Sequence, residues 1–126
     1  MTSQNALIYI VEDDADVRAS LQIALEASGY KVCAHASAEA LLAGDAPRDI
    51  DCVVSDYNLP GMSGLDMIEK LRSTGNKSPA IIISANAKTF VARAARANVV
   101  AVLRKPAAYD ALTQWLELIY GPQDVH

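Results

Sequence analysis

Five short apolar runs, each closed by a turn and followed by residues at helical spacing, constrain this chain more than any other feature. Residues 6–11, 30–36, 50–55, 79–84 and 99–103 read as strands. Runs this short and rich in Val and Ile, alternating with helices, predict an α/β fold with a parallel sheet covered on both faces. Right-handed crossovers leave few strand orders, and 2-1-3-4-5 is one of the two common ones. The chain has 126 residues, which suits one domain with one core, so residues 1–126 are read as a single domain.

The helices follow from spacing and caps. Val17, Leu21, Ala24, Leu25 and Ser28 recur every three or four residues, and Gly29 closes that helix. Ser37 caps a short helix carrying Leu41 and Leu42. Residues 44–48 read as a loop. Residues 64–73 form a helix with Leu65, Ile68 and Leu71 inward. Asn86 is placed as the cap of an Ala-rich helix running to about residue 97. Residues 107–120 form a last helix with Leu112, Leu116 and Ile119 on one face.

Composition narrows the function classes. A 52% hydrophobic content allows a packed interior and argues against disorder. A net charge of −4 argues against wholesale nucleic-acid binding. The charges are unevenly spread: residues 1–70 hold 12 of the 15 acids, whereas residues 85–109 hold Lys88, Arg93, Arg96, Arg104 and Lys105 and no acid. That basic stretch is read as an Ala-rich helix keeping its arginines in water, or as a docking patch for an acidic partner. Cys33 and Cys52 lie on strands that flank strand 1, too far apart to bridge, and are expected as reduced core thiols in the cytoplasm. The six-residue apolar run at 6–11 is neither a leader nor a membrane span. No repeat, interior linker or second domain is expected.

Chemistry gathers at the carboxyl ends of the strands. Strand 3 runs into Asp56 and then into Pro60-Gly61-Met62-Ser63-Gly64, which cannot continue a strand. In an open α/β sheet that edge is where ligands bind. Strand 1 delivers Glu12, Asp13 and Asp14 there, strand 4 delivers Ser84, and strand 5 delivers Lys105. Clustered carboxylates raise one another's pKa, and a divalent cation relieves the strain. All-oxygen ligands open to water favour Mg²⁺. With Lys105 as a second positive charge and Ser84 as a hydroxyl donor, the set suits a dianionic phosphoryl group, with one carboxylate as nucleophile.

Over nearly its whole length the chain resembles the receiver domain of two-component response regulators. The resemblance rests on Glu12-Asp13 after strand 1, the run Ser55-Asp56-Tyr57-Asn58-Leu59-Pro60-Gly61-Met62-Ser63-Gly64, Ser84-Ala85 after strand 4, and Lys105-Pro106 after strand 5. It implies a flavodoxin-like, three-layer doubly wound (βα)5 fold. The strand order 2-1-3-4-5 is that family's own, so the order given above is not independent of the resemblance.

The resemblance also implies roles. Asp56 would accept phosphate from a phosphohistidine on a sensor histidine kinase or a histidine phosphotransfer protein. Asp13, Asp56 and the backbone carbonyl of Asn58 would bind Mg²⁺ directly, with Glu12 helping through water. Ser84 would swing to the new phosphoryl oxygens, and Lys105 would pair with them, its bond to Pro106 being cis. The surface of helix 4, strand 5 and helix 5 would then shift toward a downstream protein target. No nucleic acid or membrane is expected as a direct partner, and the chain is expected as a monomer or a phosphorylation-dependent dimer. The only reactions it would catalyse are its own phosphorylation and dephosphorylation.

Three positions depart from the family pattern. Val102 stands where many receivers carry a Tyr or Phe that turns inward on activation, so the aromatic half of that switch is in doubt. Ser84 stands for Thr, and Ala107 for an aromatic. Asn58 and Asn86 flank the expected phosphoryl site, at positions that influence hydrolysis in the family. Asp14 and Asp16 read as helix-start acids, Asp66 and Glu69 as solvated helix residues, and Trp115 as packing or part of a dimer face. His35 and His126 lack metal-spaced partners.

Two other functions compete. A Mg²⁺-dependent aspartyl phosphatase would place a second Asp two residues after its nucleophile, and that position is Asn58. A pseudo-receiver that only binds partners would lack the acid pair, Asp56 or Lys105, and all are present.

Overall fold

A computed structural model describes residues 5–44, 51–85, 90–105 and 108–123, with the side chains of 108 and 109 left aside. Its elements alternate strictly: β1 Leu7–Val11, α1 Ala15–Ala27, β2 Lys31–His35, α2 Ala38–Ala43, β3 Cys52–Asp56, α3 Gly64–Ser73, β4 Ala80–Ser84, α4 Val91–Arg96, β5 Val99–Arg104 and α5 Ala108–Tyr120. The five strands are parallel and ordered β2-β1-β3-β4-β5. The expected doubly wound (βα)5 fold is therefore the one observed.

Strand alternation divides the core in two. Ile8, Ile10, Val54, Ile81 and Ile83 face α1 and α5, where they meet Leu21, Leu25, Leu112 and Leu116. Tyr9, Val11, Val53 and Ile82 face the other way, onto Leu41, Leu65, Ile68, Leu71 and Ala94 of α2, α3 and α4. β3 and β4 are buried throughout, as strands covered on both faces must be. The edge strands β2 and β5 are only partly covered.

β5 enters its pairing through an irregularity. Ala80 pairs with Val99 but Ile81 pairs with Ala101, so Val100 is skipped and 45% exposed. The extra residue resets the alternation. Val99 and Val102 both pack on the α4 side, while Ala101 and Leu103 pack on the α5 side.

Caps account for several helix starts. The Asp14 carboxylate accepts from the N–H groups of Asp16 and Val17, and Ser37 Oγ accepts from Ala40 N–H at 3.0 Å. Apart from shifts of one residue at other element ends, three details differ from the sequence reading. β3 extends one residue further, to include Asp56; its expected start at Ile50 lies outside the described residues, as does loop 45–48. The described α4 starts only at Val91, and Asn86 lies outside the described residues, with Phe90 at the cap position making no side-chain cap bond. Ile119 is 36% exposed rather than inward, because Tyr120, four residues after Leu116, takes the place against the core. Cys52 is buried, Cys33 half-buried, and both are free thiols, with β1 between their strands.

Candidate functional site

Because β1, β3, β4 and β5 are consecutive in the sheet, their carboxyl ends open onto one crevice. Glu12, Asp13 and Asp56 each bring a carboxylate oxygen to within 4.8 Å of the other two. Glu12 and Asp56 are buried and Asp13 is exposed, so the cluster is a buried pair with one arm in water. Lys105 reaches across from β5, its Nζ 2.9 Å from Asp56 Oδ2. The other carboxylate oxygen of Asp56 accepts from the N–H of Asn58 at 3.3 Å.

This edge is electrostatically loaded. Burial, together with the negative charge of Asp56, raises the Glu12 carboxyl to about 7, although the Asp14 N–H and the Lys105 charge act the other way. The three carboxylates offer only hard oxygen donors and carry more negative charge than Lys105 alone offsets. That donor set fits a divalent cation of the Mg²⁺ type and would suit a soft-ligand metal poorly.

The backbone around Asp56 is fixed on several sides. Tyr57 N–H donates to Ile83 of β4 at 2.9 Å, Ser55 Oγ donates to the Asp56 carbonyl at 2.9 Å, and Gly64 N–H donates to the Tyr57 carbonyl at 3.0 Å. Gly64 opens α3, and a Cβ there would lie 2.3 Å from the Asp56 carbonyl oxygen and 2.6 Å from Ser55 Oγ. Only glycine lets α3 begin against the strand end. Ser63 completes the join with a capping box: its hydroxyl accepts from Asp66 N–H at 3.1 Å, and the Asp66 carboxylate accepts from Ser63 N–H at 3.4 Å.

The remaining expected residues fall nearby. Ser84 is buried at the end of β4, and its carbonyl accepts from Lys105 N–H at 3.0 Å. Val102 pairs with Ile82 and packs in the same cluster as Tyr57 and Phe90. Asp14 and Asp16 act as cap and first-turn acid of α1. Pro106, Ala107, Asn86, Lys88 and His126 lie outside the described residues.

Four residues around the site make contacts that the sequence reading did not include. Arg18 donates to the Glu12 carbonyl at 2.8 Å and so holds the acidic loop from α1. Gly64 was read as a helix start, not as a contact with Asp56. Tyr57 and Phe90 form a ring stack beside the site. No sequence spacing marks the Tyr57–Phe90 stack, which joins elements brought together by the fold. The basic stretch also needs correction. Arg93 is not a free docking cation, because its guanidinium binds Asp66 and donates through Nε to Glu69 at 2.9 Å, both on α3. Those two acids are therefore cross-links as well as solvated helix residues.

The sequence model of the response regulator receiver domain family matches residues 8–117. The transcriptional regulatory protein FixJ of Bradyrhizobium diazoefficiens is 31% identical over 111 residues, covering 87% of this chain and 54% of that protein. FixJ of Azorhizobium caulinodans is 38% identical over 77 residues, 61% of this chain and 36% of that one. The chain thus spans about half or less of these relatives' length. A CheY-like receiver domain protein from Methanospirillum hungatei has the same fold, with a TM-score of 0.82 at 25% identity over 91% of this chain and 93% of its own. Among the described residues no helix is long and apolar enough to cross a membrane.

Proposed function

The chain belongs to the response regulator receiver domain family, and from that premise we propose that Asp56 is its phosphoacceptor. The observation that carries this is the meeting of Asp56 Oδ2 with Lys105 Nζ at 2.9 Å beside the Glu12–Asp13–Asp56 carboxylate cluster. Receiver domains work as phosphoacceptor signalling switches, and the donor here is a phosphohistidine on a sensor histidine kinase or histidine phosphotransfer protein.

In the reaction an Asp56 carboxylate oxygen attacks phosphorus, the P–N bond breaks, and the imidazole leaves with its electron pair. Lys105 neutralises charge on the transferred group, and the buried Ser84 hydroxyl turns to donate to it. Asp13, Asp56 and the Asn58 carbonyl would hold Mg²⁺, with Glu12 as the outer carboxylate of the set, and the bound ion would supply positive charge to offset the carboxylates and the incoming phosphoryl oxygens. Hydrolysis of the acyl phosphate reverses the state. The chain's own catalysis is limited to these two steps. It acts in the cytoplasm, as a monomer or a phosphorylation-dependent dimer, on a downstream protein target and without direct contact with nucleic acid.

The test is a mass measurement after incubation with acetyl phosphate and Mg²⁺. One labile phosphate is expected, absent in Asp56→Asn and in the presence of EDTA. Continuous turnover of phosphate esters, or no adduct together with no beryllofluoride binding, would refute the reading.

A further inference from the structure

The residue after Asp56 leads directly to α4. Tyr57 has its N–H on Ile83 and its carbonyl shared by the N–H groups of Leu59 and Gly64, so its peptide follows the strand end. Its ring lies on the ring of Phe90, the centroids 4.0 Å apart and the planes 5° from parallel. Phe90 is buried and stands immediately before α4, where its carbonyl accepts from Ala94 N–H at 2.9 Å. Its side chain makes no cap bond. Among the described residues the start of α4 is therefore met by an aromatic contact, while the polar ties described for this helix run to α3: Arg93 to Asp66 and Glu69, and Arg72 Nε to the Ala97 carbonyl at 2.8 Å. Val102, on β5, packs into the same cluster and contributes only an aliphatic side chain.

Resting on Asp56 as the phosphoacceptor, we propose that the Tyr57–Phe90 ring stack carries the state of Asp56 to α4, with both residues acting as positioning residues. A phosphoryl group adds charge and acceptor oxygens next to the Tyr57 peptide. Any adjustment of that strand end moves the Tyr57 ring, and a ring packed face to face cannot tilt without displacing its buried partner. Phe90 in turn carries the start of α4. The coupling thus runs between two side chains that are neighbours only in the fold, and β5 needs no large ring to take part.

The experiment is amide hydrogen exchange of α4 in the whole chain with Mg²⁺, with and without beryllofluoride, alongside acetyl phosphate labelling. In the wild type, α4 exchange and the Tyr57 and Phe90 ring resonances are expected to change when beryllofluoride binds. In Phe90→Leu and Tyr57→Leu, labelling of Asp56 is expected to stay within about twofold of wild type while most of the α4 response disappears. Phe90→Tyr and Tyr57→Phe keep the stack and are expected to keep the response. A full α4 response in either Leu variant would overturn the proposal, as would loss of the response in Tyr57→Phe. Should the Leu variants not fold, the wild type still decides, because ring resonances that ignore bound beryllofluoride overturn it too. A wild type that takes neither phosphate nor beryllofluoride removes the underlying reading of Asp56 and this inference with it. Labelling without any α4 change removes the inference alone.

Discussion

α3 and α4 cover the same face of the sheet, yet they are attached to it in different ways. α3 has ten residues, a capping box and five buried positions, and its first residue touches the backbone of Asp56. The described α4 has six residues, no side-chain cap bond and one buried position, Ala94. α3 is built into the site's frame. α4 is held to that frame by an aromatic stack and by arginine contacts, so it belongs to the low end of local stability, where moving parts are drawn from. A switch needs both: a firmly framed site and a neighbouring element loose enough to follow small adjustments in it.

The largest effect is expected at the join between α3 and the strand end. Gly64→Ala places a methyl 2.3 Å from the Asp56 carbonyl oxygen, which is backbone and cannot rotate aside. A loss of about 3 kcal/mol in urea unfolding is expected, with phosphate uptake at Asp56 reduced. The matching change on α4, Ala92→Gly at an exposed position, should cost about 1 kcal/mol or less and leave uptake intact. Equal costs for the two would erase the distinction drawn here.

pH separates the carboxylate cluster from the tie between α3 and α4 by sign. Glu12 is raised to about 7 from an ordinary value of 4.5. Between those values the folded chain keeps a proton that the unfolded chain has released. Without metal, stability should therefore fall as pH rises across this window, by something on the order of 3 kcal/mol, and level off above it. Added Mg²⁺ should reverse the trend, and Glu12→Gln should flatten it. The tie between α3 and α4 behaves oppositely. The Arg93 guanidinium holds Asp66 below its ordinary 3.8, so that contribution is present above this value and lost only as pH falls through the lower folded one. Thermal melts from pH 4 to 8 in EDTA would detect the first trend. A rise in stability across the window would contradict it.

A smaller effect is expected at the α3 cap. Ser63→Ala removes the hydroxyl that accepts from Asp66 N–H and should cost about 1 kcal/mol. Because α3 starts against the strand end, the loss should also loosen the Asp56 loop, seen as faster exchange at Gly64. Unchanged exchange there would mean that Gly64 packing alone fixes the start.

Much of the frame could be read before any coordinates. Apolar runs fixed the strands because a parallel sheet is buried on both faces, and the acids, Ser84 and Lys105 fell at strand ends because each ends or follows such a run, with β1, β3, β4 and β5 consecutive in the sheet. Contacts between side chains of different elements were not legible. Arg93 looked like a surface cation because its two partners lie 24 and 27 residues away in sequence. Phe90 and Tyr57 each looked like an ordinary apolar residue, and Gly64 like a turn glycine. Ile119 was misplaced because helical spacing alone cannot tell which of two adjacent apolar residues, it or Tyr120, the neighbouring elements will cover.

The smallest effect tests how loosely α4 is tied. Arg93, Asp66 and Glu69 are all partly exposed, with side-chain exposures of 38%, 47% and 40%. Ion pairs in that setting contribute under about 1 kcal/mol, so Arg93→Ala should barely move the global urea midpoint. Asp66 keeps its Ser63 partner, and α3 should keep its protection. α4 has less to fall back on, since losing this tie leaves the Phe90 stack and the Arg72 bond to the Ala97 carbonyl. A local loss of about 0.5–1 kcal/mol corresponds to about two- to fivefold faster exchange at the α4 amides. Arg96→Ala is the control, as Arg96 is exposed and has no ion pair among the described residues. Faster exchange in α3 as well would mean that the two helices open as one unit, and α4 could not then respond separately from the frame of the site.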